Sequence, residues 1–268
     1  YVVLDQLHYN GVTPLESWCS EHNPSLAYNP HLTLLFEQCK SLTFCMHNNS
    51  LPAEVYLDKT LASHANSFVV NLRVIMHSRQ FKDQIRHREE NSERSFLSSY
   101  RYVKDLFKRY SKIGVVRMDL SLSSEKAHSP NSVELVLGFF RTLTERIKKR
   151  TGIFRPLVGY IAHLEYGLQK GHHIHAIFFY NGNQVRRFNR IARLISERWL
   201  SITGPDGRYF SPHQKSLQYI CPALGMIQRA DKEKRQCLSY LLWYMTKLDQ
   251  HLMYKYNEKQ RIFFRGKI

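Results

Sequence analysis

Glycine is sparse in this sequence, 12 residues in 268. Nowhere do the glycines gather into the turn that joins a strand to a helix in a dinucleotide-binding fold, which excludes that fold taken alone. Long apolar runs are missing too. None approaches the roughly 18 residues of a membrane span, and no signal peptide is visible. Neither a convincing amphipathic membrane helix nor a lipidation signal takes their place, so no membrane partner is expected. The first residue is Tyr1, which fits a fragment or processed chain and leaves an upstream targeting segment open. Cysteine is scarce and odd in number, at Cys19, Cys39, Cys45, Cys221 and Cys237. The irregular spacing argues against a disulfide framework and for a reducing compartment. Cys39-x5-Cys45-x-His47 lacks the C-x2-C pair of a zinc site and reads as buried thiols.

Acidic residues are in deficit as well, 22 against 39 Lys and Arg, for a net charge of +17. Such an excess points to a polyanionic partner, and nucleic acid fits it better than an anionic membrane. What remains is a globular composition, 43% hydrophobic, enough for a packed core.

Residues 1 to about 78 carry short apolar runs at mixed spacing, such as LTLLFEQC and SFVVNLRVIM, and read as mostly helical. RQFKDQIRHREENSERS suits a solvated helix or a hinge. In SSYRYVKDLFKRYSK, Tyr102, Leu106 and Tyr110 make a helical stripe. From Lys112 the pattern sharpens. Val116, Met118, Leu120 and Leu122 alternate with Arg117, Asp119 and Ser121, which is strand periodicity. A helix follows, with Ser132 as N-cap and Gly152 as its stop. LVGYIAHLEYG and HHIHAIFFY read as two strands joined by a hairpin at LQKG. NQVRRFNRIARLISERWL reads as an arginine-rich helix, GPDG as a turn, and KEKRQCLSYLLWYMTKLDQHLMYKY as helical throughout. This order implies an α+β fold, an antiparallel-leaning sheet with helices mainly on one face.

Alternate residues of a strand face the same way, so His173 and His175 project together while His172 points to the other side. The hairpin brings Glu165 beside them. Two imidazoles and a carboxylate form an open site for a divalent cation, with His163 as the alternative third ligand. The competing reading is a set of hydrogen-bonded strand histidines. A cupin motif fails at Phe179 and Tyr180, where its glutamate would stand, and a histidine triad fails at Ile177. Downstream, SYLLWYMTK puts Tyr240, Tyr244 and Lys247 on one helix face. A tyrosine hydroxyl, with an ordinary pKa of about 10, needs a neighbouring cation or metal to become a nucleophile. Lys247 supplies positive charge, and a metal on the histidines would polarise a phosphodiester. Without the histidines, Tyr240 and Tyr244 would read as core aromatics.

Taken together, these residues resemble the HUH endonucleases. His173-Ile174-His175 matches their metal-binding motif and Tyr244-Met245-Thr246-Lys247 their Y-x-x-K helix. LEYGLQKGHHIH is similar to the stretch of parvoviral and phage initiators in which an upstream glutamate completes the metal site, which carries that role onto Glu165. VVRMDLSL resembles the first motif of filamentous-phage replication proteins, with Arg117 and Asp119 at its polar positions. The nearest likeness is to inovirus gene II-type initiators, including YagK/YfjJ-type prophage proteins, over roughly residues 110 to 268. Some relatives carry Y-x-x-K-Y-x-x-K; here Trp243 stands where the first lysine would be, which favours Tyr244 over Tyr240 as the nucleophile.

The resemblance implies an RRM-like antiparallel core at residues 111–268; residues 1–110, mostly helical by their own pattern, lie outside it and are given no role. It implies a cytoplasmic protein of a bacterial host that uses Mg²⁺ or Mn²⁺. Its activity would be to nick single-stranded DNA at a replication origin through a 5′-phosphotyrosine, with host replication proteins as further partners. Arg186, Arg187, Arg190 and Arg193, with Arg117 and Asp119, are the expected DNA contacts; the bland reading of the four helix arginines is a solvated face. The alternatives are a non-catalytic DNA-binding prophage remnant and an HUH transposase or mobilisation nickase.

Overall fold

The computed structural model describes residues 26–48, 59–167, 170–213, 223–247, 252–254 and 261–266. In chain order the elements are β1 (Leu26–Tyr28), α1 (Pro30–Asn48), α2 (Lys59–His77), α3 (Arg79–Arg109), β2 (Lys112–Leu122), α4 (Ser124–Ala127) and α5 (Ser132–Lys148). They continue with β3 (Leu157–Gly167), β4 (Gly171–Asn181), α6 (Phe188–Thr203), β5 (Gly207–Phe210), β6 (Gly225–Gln228), α7 (Lys232–Thr246), β7 (Leu252–Tyr254) and β8 (Phe263–Arg265). The chain divides into two compact units, Tyr1–Glu89 with Asp249–Tyr256, and Glu90–Leu248 with Asn257–Ile268.

In the first unit, α1 opens on Pro30, and Asn29 caps it by accepting the His31 N–H at 2.8 Å. β1 pairs antiparallel with β7. The C-terminal stretch is therefore not helical throughout. α7 stops at Thr246, where Lys247 turns extended at ψ 151. One side chain takes a carbonyl that a continuing helix would need, that of Thr246, and another folds back within the last turn. The Thr246 hydroxyl bonds Leu242 O at 3.0 Å, and the Ser92 hydroxyl bonds Thr246 O at 2.5 Å.

The second unit is an α+β fold on a six-stranded antiparallel sheet. Its order is β5-β2-β4-β3-β8, with β6 also on the outer edge of β2. The β3–β4 hairpin and the alternation of β2 are as the sequence predicts. Helices, however, cover both faces. Ile113, Val115, Ile161, Ile177 and Phe179 lie in one cluster with Tyr102, Val103, Leu106 and Phe107 of α3 and Leu238, Leu242 and Met245 of α7. On the other face Trp199 of α6 donates its indole N–H to Ser121 O and Arg208 O, each at 3.0 Å. The physical reason lies in β4, buried at every position but the last: a strand apolar on both sides needs a cover on both. Fully burying Ile177 and Phe179 is worth about 1.5–3 kcal/mol each.

Three local expectations are corrected. The N-cap of α5 is Asn131, and Ser132 is its buried first residue, because its hydroxyl pairs instead with His172 Nδ1 at 2.7 Å. The same helix ends at Lys148, short of Gly152, because Arg150 turns left-handed at φ 51. α6 starts only at Phe188, so Arg186 precedes it and Arg187 is its N-cap. The turn after β4 takes up the residues between: Asn181 Oδ1 accepts the Asn183 N–H at 3.0 Å and Asn181 O that of Gln184. Cys39 is a buried thiol, but Cys237 is disulfide-bonded; spacing along the chain does not report closeness in space. The side chains of Cys19, Cys45 and His47 lie outside the described residues. Among those residues no helix is long and apolar enough to cross a membrane.

Candidate metal centre and tyrosine helix

The sheet face under α3 and α7 changes character along its strands. One end is the apolar cluster; the other carries Glu165, His163, His173, His175, Asp119 and Arg117. Register produces this grouping. Glu165 pairs with His173, His163 with His175, and Asp119 with His175 from the opposite strand. Directly paired residues share a face, so three strands aim polar groups at one spot.

Glu165, His173 and His175 each bring one ligand atom to within 4.8 Å of the others. His175 Nε2 lies 2.7 Å from Glu165 Oε2 and 3.2 Å from His173 Nε2. The second nitrogen of each ring is already held. His175 Nδ1 lies 2.6 Å from Asp119 Oδ1, and His173 Nδ1 lies 2.9 Å from Gly171 O. Anchoring Nδ1 in this way fixes the tautomer that leaves Nε2 as a lone-pair donor, the arrangement of metal-ligating histidines. Two nitrogens and one carboxylate suit zinc, iron and manganese by donor type, and the set does not name one metal.

The electrostatics pair two carboxylates with one imidazole. Burial works against every charge here. Even so, the hydrogen bond and charge of His175, with Arg117 and Lys170, hold Asp119 at about 2. His175, helped by His173 and His163, likewise holds Glu165 at about 2. Burial would lower His175, but Asp119 and Glu165 outweigh it and raise it to about 9. In the metal-free protein a proton on His175 does part of a cation's work. His173 is lowered, by burial and then by the charge of His175. His163 is buried and lowered to about 4, by burial first; it flanks the trio and packs near Phe263 at 6.3 Å between ring centres. His172 points to the other face, as expected, bonded to Ser132 and 4.7 Å from the Tyr166 ring.

Arg117 links this centre to α7. Its Nε stands 3.6 Å from Asp119 Oδ1, and its guanidinium carbon 5.4 Å from the Tyr244 ring centre. Lys247 Nζ stands 4.5 Å from that ring. Lys247 follows the last residue of α7, yet its N–H still bonds Trp243 O at 2.8 Å. Tyr244 is thus exposed, flanked by two cations, and tied to the metal centre through Arg117. Tyr240 is exposed on the same helix, with Gln236 Nε2 3.5 Å from its hydroxyl. Arg186, Arg187, Arg190 and Arg193 do not line the centre. They lie on the exposed side of α6 and the turn before it, over the opposite face of the sheet.

Sequence reasoning placed Asp119 among DNA contacts. The structure gives it to His175, with Lys170 Nζ 3.6 Å from its second oxygen. The signal was present, an acidic residue on the apolar-alternating strand, but its partner depends on a pairing across 56 residues.

This is an α+β protein whose central sheet presents a Glu-His-His cluster that could hold a metal ion, beside a tyrosine-bearing helix. The chain belongs to the YagK/YfjJ C-terminal domain family, whose model matches residues 76–265. Neither a curated protein nor a solved structure matches it.

Proposed function

We propose that the protein is an HUH-type, metal-dependent endonuclease of single-stranded DNA, akin to filamentous-phage gene II-type initiators and built on their RRM-like core. In this reading it nicks and rejoins an origin strand to start rolling-circle replication of a phage or prophage element in the host cytoplasm. The observation that carries the reading is the coupling of the ligand trio to Tyr244 through Asp119 and Arg117.

Glu165, His173 and His175 would hold the divalent cation, Mg²⁺ or Mn²⁺ in this reading, whose contribution is to polarise the scissile phosphate. Asp119 and Gly171 orient the two rings. Tyr244 attacks phosphorus: its O–P bond forms as the P–O3′ bond breaks, the phenol gives up its proton, and the departing 3′ oxygen gains one. Arg117 and Lys247 supply positive charge where negative charge develops on the phosphate and phenol oxygens. The product is a 5′-phosphotyrosine and a free 3′-hydroxyl that a host polymerase can extend. The phosphotyrosine keeps the energy of the broken ester, so rejoining needs no nucleotide cofactor.

The test is incubation with single-stranded DNA and Mg²⁺ or Mn²⁺, with the covalent adduct read on a denaturing gel. Tyr244→Phe should abolish the adduct. An adduct that survives Tyr244→Phe and is lost in Tyr240→Phe would overturn the assignment. Trp243, where a second catalytic lysine would stand, favours one other reading, a DNA-binding protein without cleavage. That reading requires binding indifferent to chelator and no nicking with any metal.

A further inference from the structure

α7 carries large apolar side chains on both of its sides. Its buried side, Leu238, Leu242 and Met245, supplies what holds it to the sheet. Its solvent side carries Tyr240, Trp243 and Tyr244, exposed by 58%, 56% and 41%. Tyr240 stands three residues from Trp243 and four from Tyr244 and so neighbours both on the surface, Cβ atoms about 5–6 Å away, and the three rings span an arc of about 100°. Exposed large aromatics are costly to solubility and need a partner to account for them when they cluster. Cations flank one end of this cluster: Arg117 and Lys247 lie against the Tyr244 ring, in a chain of net charge +17. A polyanion with flat apolar faces fits both features. Unpaired nucleobases on a phosphate backbone have that chemistry, since every base offers a π-face and every link a charge. In a duplex those faces are already stacked and cannot reach the helix.

We infer that Trp243 and Tyr240 form a stacking platform for the unpaired bases that flank the phosphate presented to Tyr244. The inference deepens the single-stranded DNA reading and rests on it, but assigns Trp243 a positive role. It is a positioning residue that holds the strand beside the nucleophile, and Tyr240 works through its ring and not its hydroxyl. Single-strand selectivity then resides in the helix surface, separate from the metal centre.

The experiment uses the full chain in EDTA, so that no cleavage occurs, with a short oligo-dT as probe and tryptophan fluorescence as readout. Trp199 is fully buried, and the part of the signal owed to Trp243 is assigned by difference with Trp243→Phe. Oligo-dT should quench Trp243; a duplex of equal length and an abasic oligomer of equal charge should not. Trp243→Ala should weaken oligo-dT binding by about fivefold to 150-fold, the range of one lost base–aromatic stack. Trp243→Phe and Tyr240→Phe should stay within about threefold of the parent, and Tyr240→Ala should weaken binding as Trp243→Ala does. Both side chains are exposed, so the thermal midpoints of the four variants should not move. Equal binding by Trp243→Ala, or equal quenching by the abasic oligomer, overturns the platform. So does a change of oligomeric state in Trp243→Ala, which would make the face a contact between copies. If the parent never forms the adduct with metal yet keeps the base-dependent quench, the nickase reading fails and the platform stands.

Discussion

Asp119→Asn is the most informative single substitution in the candidate metal centre. Asp119 is not one of the three candidate ligands but holds one of them, and its side chain is 6% exposed, as is that of His175. Its Oδ1 stands 2.6 Å from His175 Nδ1. Asparagine keeps the shape and can still accept that N–H, so the ring orientation and tautomer survive. The negative charge is lost, and with it the basicity that Asp119 lends to the opposite nitrogen. Losing an outer partner of this kind weakens metal binding by about 10- to 100-fold, or about 1.4–2.7 kcal/mol. His175→Ala, which deletes one of three donors, should cost more. The assay is titration of Mn²⁺ into chelator-stripped protein, by calorimetry or by the paramagnetic signal of free Mn²⁺. Unfolding in EDTA is measured in parallel, because Arg117 and Lys170 also face Asp119 and would lose their carboxylate. An Asp119→Asn protein that folds and binds Mn²⁺ within twofold of the parent would refute the outer-sphere role.

Local pairing made the core of the site legible. Glu165 and His173 are joined by a short hairpin, so strand periodicity alone placed them side by side. The same periodicity separated His172 from His173 and His175. Asp119 was legible as a polar residue on a strand but not as a histidine partner, because the β2–β4 register is fixed by packing of the whole sheet. The second helical layer was hidden for a related reason: AIFFY reads equally as a half-buried or a fully buried strand until its neighbours are known. The end of α7 is not legible along the chain because the Ser92 hydroxyl that takes the Thr246 carbonyl comes from 154 residues away. For the arginines, periodicity carried the expected helix back through Arg186 and Arg187, and a turn closed by the Asn181 side chain removed them from it.

Gly171 takes φ +59, and a Cβ there would meet the Ala127 carbonyl. Gly171→Ala should therefore destabilise the fold by at least about 1–2 kcal/mol in urea unfolding and weaken Mn²⁺ binding, since Gly171 O anchors His173. Ser132→Ala should cost about 0.5–1.5 kcal/mol, the worth of one hydrogen bond, because His172 keeps its bond to the Ala127 backbone, while Mn²⁺ affinity stays unchanged; a loss of metal would mean that His172 belongs to the centre after all. The last expectation concerns pH. His175 is raised to about 9 in the folded, metal-free protein, against about 6.5 for an unperturbed imidazole. The folded state binds that proton more tightly, so its stabilisation is complete below about pH 6.5 and lost as pH rises towards 9. A metal on His175 Nε2 must displace the same proton, so metal affinity runs the other way, rising by up to about tenfold per pH unit over that interval. Chemical unfolding in EDTA and Mn²⁺ titration at pH 6.5, 7.5 and 8.5 should give opposite slopes. A metal affinity flat across that range would mean that the protonated nitrogen and the metal ligand are not the same atom.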